Sequence, residues 1–179
     1  SVVPGVERSS VPPLEEIQKL AFVDAEEKVR SHSGKYAVVL TDADELEIEK
    51  LVKHLDTVAE SLFQDLPFLE KPKRPAPLVV FASRDDFKKF PPRLAQRCGA
   101  VARPPTANGF TTLGIATSSW SEEYGTLRPV YAHEFIHALM SASAKIDNRG
   151  EWFQEGLAVS YQMRFHPQED IRELVMQIA

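Results

Sequence analysis

One segment in the last third of the sequence constrains the fold more than any other, because it is apolar on nearly all sides. The spacing predicts a helix over residues 124–143, and its apolar members are Val130, Tyr131, Ala132, Phe135, Ile136, Ala138, Leu139 and Met140. A helix that is apolar all round is a buried one. Residues 133–137 nevertheless read His-Glu-Phe-Ile-His. Buried polar groups are costly unless they are paired or bind a metal ion, so the fold has to supply such partners here.

The spacing of these polar residues suits one metal ion. His133 and His137 are four positions apart, so they lie one turn above each other on the same helix face, and both imidazoles can reach one ion at about 2.0–2.1 Å. Glu134 projects roughly a third of a turn away from that line. Its carboxylate is therefore placed to face an open coordination position as a general base, rather than to bind the metal.

A third ligand is expected on the next helix. We predict that the first helix ends near residue 144 and that a short loop through residues 147–150 turns the chain back. Glu155 lies eighteen residues after His137, which is far enough for two antiparallel helices to face each other. The small residues Gly156 and Ala158 would permit close approach of the two helices.

The remaining sequence predicts a single α+β domain over residues 14–179, after an irregular lead-in over residues 1–13. The predicted elements are a helix from Leu14 to about residues 31–34, a strand over 36–40, a long helix whose capped and solvated start is 41–49, an inner strand over 78–81, a short helix around 87–90, a turn at 108–109 and a strand over 110–117. The aromatic residues Trp120, Trp152 and Phe153 are expected to lie in the core.

Composition excludes several classes of partner and site. The formal net charge is −5 and the pI is about 5.6, so the chain lacks the basic surface that holds nucleic acid. Cys98 is the only cysteine, which excludes an intramolecular disulfide and a cysteine cage for a metal. Any metal ion therefore has to use histidine and carboxylate ligands. No stretch of the sequence approaches the roughly 20 apolar residues of a membrane-spanning helix.

Two features at the start of the sequence bear on the cellular location of the protein, and they point in different directions. The first residues lack the charged start and apolar run of a signal peptide. The sequence begins at Ser1 without Met, as it would in an exported protein whose leader has been removed.

The metal-binding pattern resembles a known family. The pattern H-E-x-x-H at residues 133–137, followed by W-F-x-E-G-x-A at residues 152–158, is similar to the signature of the gluzincins, particularly the small domains described as peptidase MA-like. The resemblance covers roughly residues 35–165, and only the two motifs are specific. It implies a zincin-like fold: a small twisted mixed sheet, the H-E-x-x-H helix packed on one face, and a following helix that carries the third ligand.

The resemblance also implies an activity. It assigns His133, His137 and Glu155 as the ligands of one Zn²⁺ and Glu134 as the general base that activates zinc-bound water for hydrolysis of a peptide bond. The strand near residues 113–117 resembles the edge strand along which gluzincins lay their substrate, so a peptide or protein is the expected partner.

The sequence departs from the family pattern in two respects. Some gluzincins carry an aspartate four residues after the ligand glutamate, where it orients a zinc-bound histidine; here that position is Val159. Family enzymes also use a tyrosine or histidine, often from a later subdomain, to stabilise the oxyanion. Tyr161, His166 and Tyr124 are the candidates for that role, and a C-terminal subdomain is expected to be missing from this stretch of sequence.

Three functions are compatible with these residues. The first is an active zinc metallopeptidase. The second is a zinc-stabilised domain that binds a peptide or a cell-envelope partner without catalysis, and the third is a zinc hydrolase of a non-peptide amide. The sequence does not specify the substrate or the oligomeric state.

Overall fold

The computed structural model describes residues 11–23, 25–97, 99, 103–143 and 151–166. They form an α+β domain, as the sequence predicts, with a mixed five-stranded sheet and five α-helices in the described residues. The helices are α1 (Leu14–Ala21), α2 (Ile48–Asp65), α3 (Arg84–Arg97), α4 (Pro129–Ala142) and α5 (Glu151–Phe165). The strands are β1 (Arg30–Ser33), β2 (Ala37–Thr41), β3 (Ala76–Phe81), β4 (Gly109–Thr112) and β5 (Ile115–Ser119). None of these helices is long and apolar enough to cross a membrane.

The sheet has a parallel centre and antiparallel edges. Its strand order is β1-β2-β3-β5-β4. β2, β3 and β5 run parallel, and β1 and β4 pair antiparallel with β2 and β5. All six residues of β3 are buried, which confirms the predicted inner strand. Continuous apolar runs of this kind are typical of strands that are covered on both faces.

Two clusters of buried side chains cover the two faces of the sheet. Side chains alternate along a strand, so neighbours such as Val80 and Phe81 belong to different clusters. The larger cluster joins the sheet to α2, α4 and α5, and the smaller one joins it to α1 and α3. The H-E-x-x-H helix α4 therefore packs on one face of the sheet, as expected.

The prediction that the first helix continues to about residues 31–34 is wrong. α1 ends at Ala21, and Arg30–Ser33 is an edge strand instead of a helical continuation. Only Val29 supported helical spacing beyond Ala21, and pairing with β2 outweighs that weak local preference. The Arg30 guanidinium also donates to the backbone oxygens of Asp44 and Leu46, which ties β1 to the loop before α2.

The predicted start of the long helix is also wrong. α2 begins at Ile48, because the polar groups expected to cap a helix at residues 41–45 stabilise a loop instead. Thr41 Oγ1 accepts a hydrogen bond from the Ala43 amide at 3.0 Å, and Asp42 Oδ1 accepts one from the Ala82 amide at 2.7 Å. Such local side-chain bonds compete with helix formation.

The segment predicted as one strand over residues 110–117 is a hairpin. Leu113 and Gly114 have φ values of 50° and 73°, which makes a tight turn between β4 and β5. Gly109, predicted to lie in a turn, begins β4. The edge strand is consequently β4, whereas the residues from 115 onward belong to β5, which pairs with β3 on one side and with β4 on the other.

Two smaller expectations need correction. The predicted short helix around residues 87–90 is the longer α3, and the predicted helix over 124–143 begins only at Pro129. Trp120 and Phe153 are half-buried and pack against the larger core, but the side chain of Trp152 is 79% exposed. Trp152 is therefore a surface residue and not part of the core.

Candidate metal centre

The start of α4 is anchored to the end of β5. Pro129 occupies the first helical turn, where its fixed φ and missing N–H are tolerated. The Arg128 guanidinium and the Tyr131 hydroxyl both donate to the backbone oxygen of Ser119, at 2.8 and 3.0 Å. These buried bonds fix the position and rotation of the helix that carries His133, Glu134 and His137.

Two imidazoles and one carboxylate meet between α4 and α5. His133, His137 and Glu155 each offer one ligand atom, and these atoms lie within 4.8 Å of one another. His137 Nε2 is 2.9 Å from Glu155 Oε1, and His133 Nε2 is 3.5 Å from Glu155 Oε2. His133 is buried, His137 is half-buried and Glu155 is exposed, so the group opens to solvent on the α5 side. The residues form a group that could hold a metal ion.

The donor set suits a divalent transition-metal ion, because such ions bind imidazole nitrogen and carboxylate oxygen. Zinc binds imidazole nitrogen and carboxylate oxygen at about 2.0–2.2 Å in a tetrahedron, which puts neighbouring ligand atoms roughly 3.3 Å apart. In the structure the two imidazoles contact different oxygens of Glu155, at 2.9 and 3.5 Å, and one ligand atom from each residue lies within 4.8 Å of the others. A tetrahedral ion with three protein ligands retains one position for water or substrate.

Both imidazoles are held in the form that binds metals. Burial, and then the charge of His137, lower the pKa of His133 to about 4, although Glu155 and Gln162 oppose the shift. Burial also lowers the pKa of His137, against the opposing effect of Glu155. Neutral imidazole is the ligand form, so at neutral pH neither histidine has to lose a proton before it binds a cation.

A buried amide supports the first histidine. The Nδ1 atom of His133 lies 3.0 Å from Oε1 of Gln162, whose side chain is fully buried on α5. The sequence assigns no such partner to the histidines, because Val159 occupies the position where some gluzincins carry an aspartate. The signal that could have found Gln162 is its spacing of seven residues from Glu155, which places both on one face of a helix.

Glu134 lies against the edge strand β4. The Thr111 hydroxyl donates to Glu134 Oε2 at 2.6 Å and is 3.0 Å from the backbone oxygen of the same residue. Glu134 is only 6% exposed, and burial raises its pKa to about 8, with the Thr111 hydrogen bond opposing the shift and the charge of Glu155 adding to it. Thr111 is not recognisable from the sequence, because nothing there pairs a strand residue with a helix residue 23 positions later.

A cleft connects Glu134 with the metal-binding group. Its volume is about 730 Å³. β4 forms one wall, α4 the floor and α5 the other wall, and the lining residues are Ala107, Gly109, Phe110, Thr111, His133, Glu134, His137, Ser141, Gln154, Glu155, Gly156 and Val159. The backbone edge of β4 that does not pair with β5 is unpaired among the described strands. The cleft therefore combines a strand edge, a buried carboxyl group and a candidate cation site.

The structure does not bring the candidate oxyanion stabilisers to this cleft. Tyr161 donates a short hydrogen bond to Asp65 of α2, and Arg164 pairs with the same carboxylate at 2.7 Å. His166 follows α5, and its Nε2 lies 3.2 Å from Nε2 of His54 on α2. Tyr124 does not line the cleft either. In this arrangement Tyr161 and His166 fasten α5 to α2.

We expect Tyr161→Phe to leave any reaction in the cleft nearly unchanged, because the hydroxyl bonds to Asp65 and does not line the cleft. Loss of a true oxyanion donor costs about 10²–10³-fold in kcat. Steady-state kinetics of the variant check this. A loss in that range, with unaltered thermal unfolding, would show that Tyr161 turns toward the cleft when substrate binds.

His54 is expected to make the fold sensitive to acid. Burial and then the charge of His166 lower the pKa of His54 to about 4 from its ordinary value of 6.5. The unfolded chain therefore binds more protons than the folded chain between pH 6.5 and 4, and the free energy of unfolding falls as the pH falls through that window. Between pH 6.5 and 4, we expect the free energy of unfolding of His54→Gln to decrease by about 1–3 kcal/mol less than that of wild type. Urea unfolding with chelator present, at pH 7 and 4.5, measures it; equal pH dependence in both proteins would refute the assignment.

In comparisons with known proteins, no family model, no curated protein and no solved structure matches this chain. The resemblance to the gluzincins therefore remains a prediction, and it rests on the two motifs at residues 133–137 and 152–158.

Proposed function

We propose that this chain is a zinc-dependent hydrolase of peptide bonds. The observation that carries the proposal is the convergence of His133, His137 and Glu155 at one end of a cleft in which Glu134 also lies. A ligand triad with an adjacent, non-coordinating glutamate is an arrangement that supports metal-assisted hydrolysis. The zincin-like fold and the gluzincin family belong to the same proposal, supported by the two motifs and by α4 packed on a mixed sheet.

Zinc is the proposed ion because the ligands are imidazole nitrogen and carboxylate oxygen. Its chemistry when bound is to polarise a carbonyl oxygen and to lower the pKa of water toward neutrality. His133, His137 and Glu155 hold it. The exposed side chain of Glu155 leaves the site open to the cleft.

Glu134 is the proposed proton carrier. Its carboxyl group lies in the same cleft as the metal-binding group without belonging to it, so it can accept a proton from water and return it to the leaving amine. Thr111 holds Oε2 of this carboxylate, which fixes the side chain against β4. The substrate is proposed to be an extended peptide, because the edge of β4 that has no partner among the described strands offers backbone groups along the cleft.

A catalytically silent peptide-binding domain is the second candidate. It is favoured by one observation: the described residues that line the cleft include no tyrosine, lysine or arginine that could stabilise an oxyanion. In that case the metal would stabilise the helix pair α4–α5, and β4 would still bind a peptide by strand addition.

The experiment that separates these functions uses unstructured peptide libraries and purified protein. We expect new cleavage products by mass spectrometry, their loss after chelation, and their return when zinc is supplied. Metal-dependent binding of peptides without any product would contradict hydrolysis and support the binding domain.

A further inference from the structure

The Nδ1 atom of His133 faces away from the candidate metal centre. Whether this atom carries the ring proton determines whether Nε2 can bind a metal ion. A neutral imidazole carries one N–H, and the other ring nitrogen has the free lone pair. For Nε2 to bind a cation, the proton has to sit on Nδ1. Free histidine does not enforce that form, so a neighbouring group has to select it.

Gln162 provides an acceptor at the required place. Its Oε1 lies 3.0 Å from Nδ1 of His133, and an amide oxygen can only accept a hydrogen bond. With its proton on Nδ1, neutral His133 donates to this oxygen, and the lone pair of Nε2 points toward the candidate metal centre, where Glu155 Oε2 lies 3.5 Å away. Both side chains of the His133–Gln162 pair are buried, so water does not replace the acceptor easily.

The helix α5 places the acceptor and the proposed ligand together. Gln162 follows Glu155 by seven residues, which is two helical turns, so both side chains leave α5 on the face that packs against α4. Glu155 contacts the Nε2 side of the histidines, and Gln162 contacts the Nδ1 side of His133. Val159, at the position where the resemblance calls for an aspartate, lines the cleft instead.

We propose that Gln162 is the positioning residue that fixes the tautomer and ring orientation of His133, and that it does so with a neutral amide instead of a carboxylate. This inference rests on the proposed metal site. Partners of this kind orient ligand histidines, and their loss typically weakens metal binding by about 10–100-fold. A neutral acceptor sets the tautomer without adding a negative charge beside Glu134 and Glu155.

The test compares wild type with Gln162→Met and Gln162→Glu. Methionine has a similar volume but no strong acceptor, whereas glutamate restores an acceptor of the same shape. Long-range proton–nitrogen NMR correlations on metal-free protein report the tautomer of His133, and competition with a chromophoric chelator reports zinc affinity. Thermal unfolding verifies that each variant folds.

We expect the Nδ1–H form in the wild type, its loss in Gln162→Met together with about 10–100-fold weaker zinc binding, and recovery of both in Gln162→Glu. An Nε2–H tautomer in the wild type, which needs no variant to detect, would overturn the inference. Unchanged zinc affinity in a folded Gln162→Met protein would also overturn it. Wild-type protein that binds no zinc would instead contradict the proposed metal site, while the tautomer measurement would still decide the role of Gln162.

Discussion

Glu134→Gln is expected to abolish most hydrolysis while zinc stays bound. The amide cannot accept the proton from water, and loss of general acid–base catalysis typically costs about 10²–10⁴-fold in rate. The proposed ligands His133, His137 and Glu155 are unchanged, and a glutamine oxygen can still accept the Thr111 hydrogen bond. The measurements are kcat/KM on a peptide substrate and metal content of the same preparation.

The matched control is Glu45→Gln, which neutralises an exposed carboxylate that does not line the cleft. It should retain wild-type activity and metal content. Cleavage by Glu134→Gln at the wild-type rate would remove Glu134 from the mechanism. Loss of zinc from that variant would instead show that Glu134 belongs to the metal site.

Gly109→Ala should damage the cleft almost as severely, through packing. A Cβ at this position would lie 2.5 Å from Glu134 Cγ and 2.6 Å from Val130 Cγ2, closer than side-chain carbons approach. Either Glu134 or β4 has to move, and overpacking of this kind typically costs about 1–3 kcal/mol of stability. A displacement of about 1 Å can lower the rate of a positioned reaction by about 10²-fold.

Gly156→Ala is the matched glycine substitution on the opposite wall. Its added Cβ would meet no atom within 4 Å, and alanine in a helix interior is favoured over glycine by about 0.5–1 kcal/mol. We therefore expect opposite effects on the unfolding temperature, a decrease for Gly109→Ala and an increase for Gly156→Ala. Equal stability and full activity in Gly109→Ala would show that β4 moves aside at no cost.

The sequence predicted the residues of the candidate site better than their surroundings. His133 and His137 are related by helical periodicity alone, so their shared face follows from four-residue spacing. Glu155 required one further assumption, that two helices pack antiparallel across a short loop; that loop, residues 147–150, lies outside the described part of the chain. The buried character of α4 followed from its apolar composition, and α4 does pack on one face of a mixed sheet.

Features that depend on tertiary pairing were not accessible in the same way. The β1 strand forms because β2 offers a partner, and its polar sequence carries no strand signal. The hairpin turn places Leu113 at a positive φ, a conformation that a leucine in the sequence does not indicate. Gly114 beside it does indicate a turn. Tyr161 lies on α5 and His166 directly follows it, both more than one turn beyond Glu155, but their rotation about the helix axis directs them to α2.

The most direct test of the central claim is the metal content of protein purified without chelator, measured by elemental mass spectrometry on wild type and His137→Ala. We predict about one zinc ion per wild-type chain, because three ligand atoms converge at this site, and its loss from the variant. Wild-type protein that holds no metal after zinc is supplied, or a His137→Ala protein that holds as much as wild type, would contradict the account.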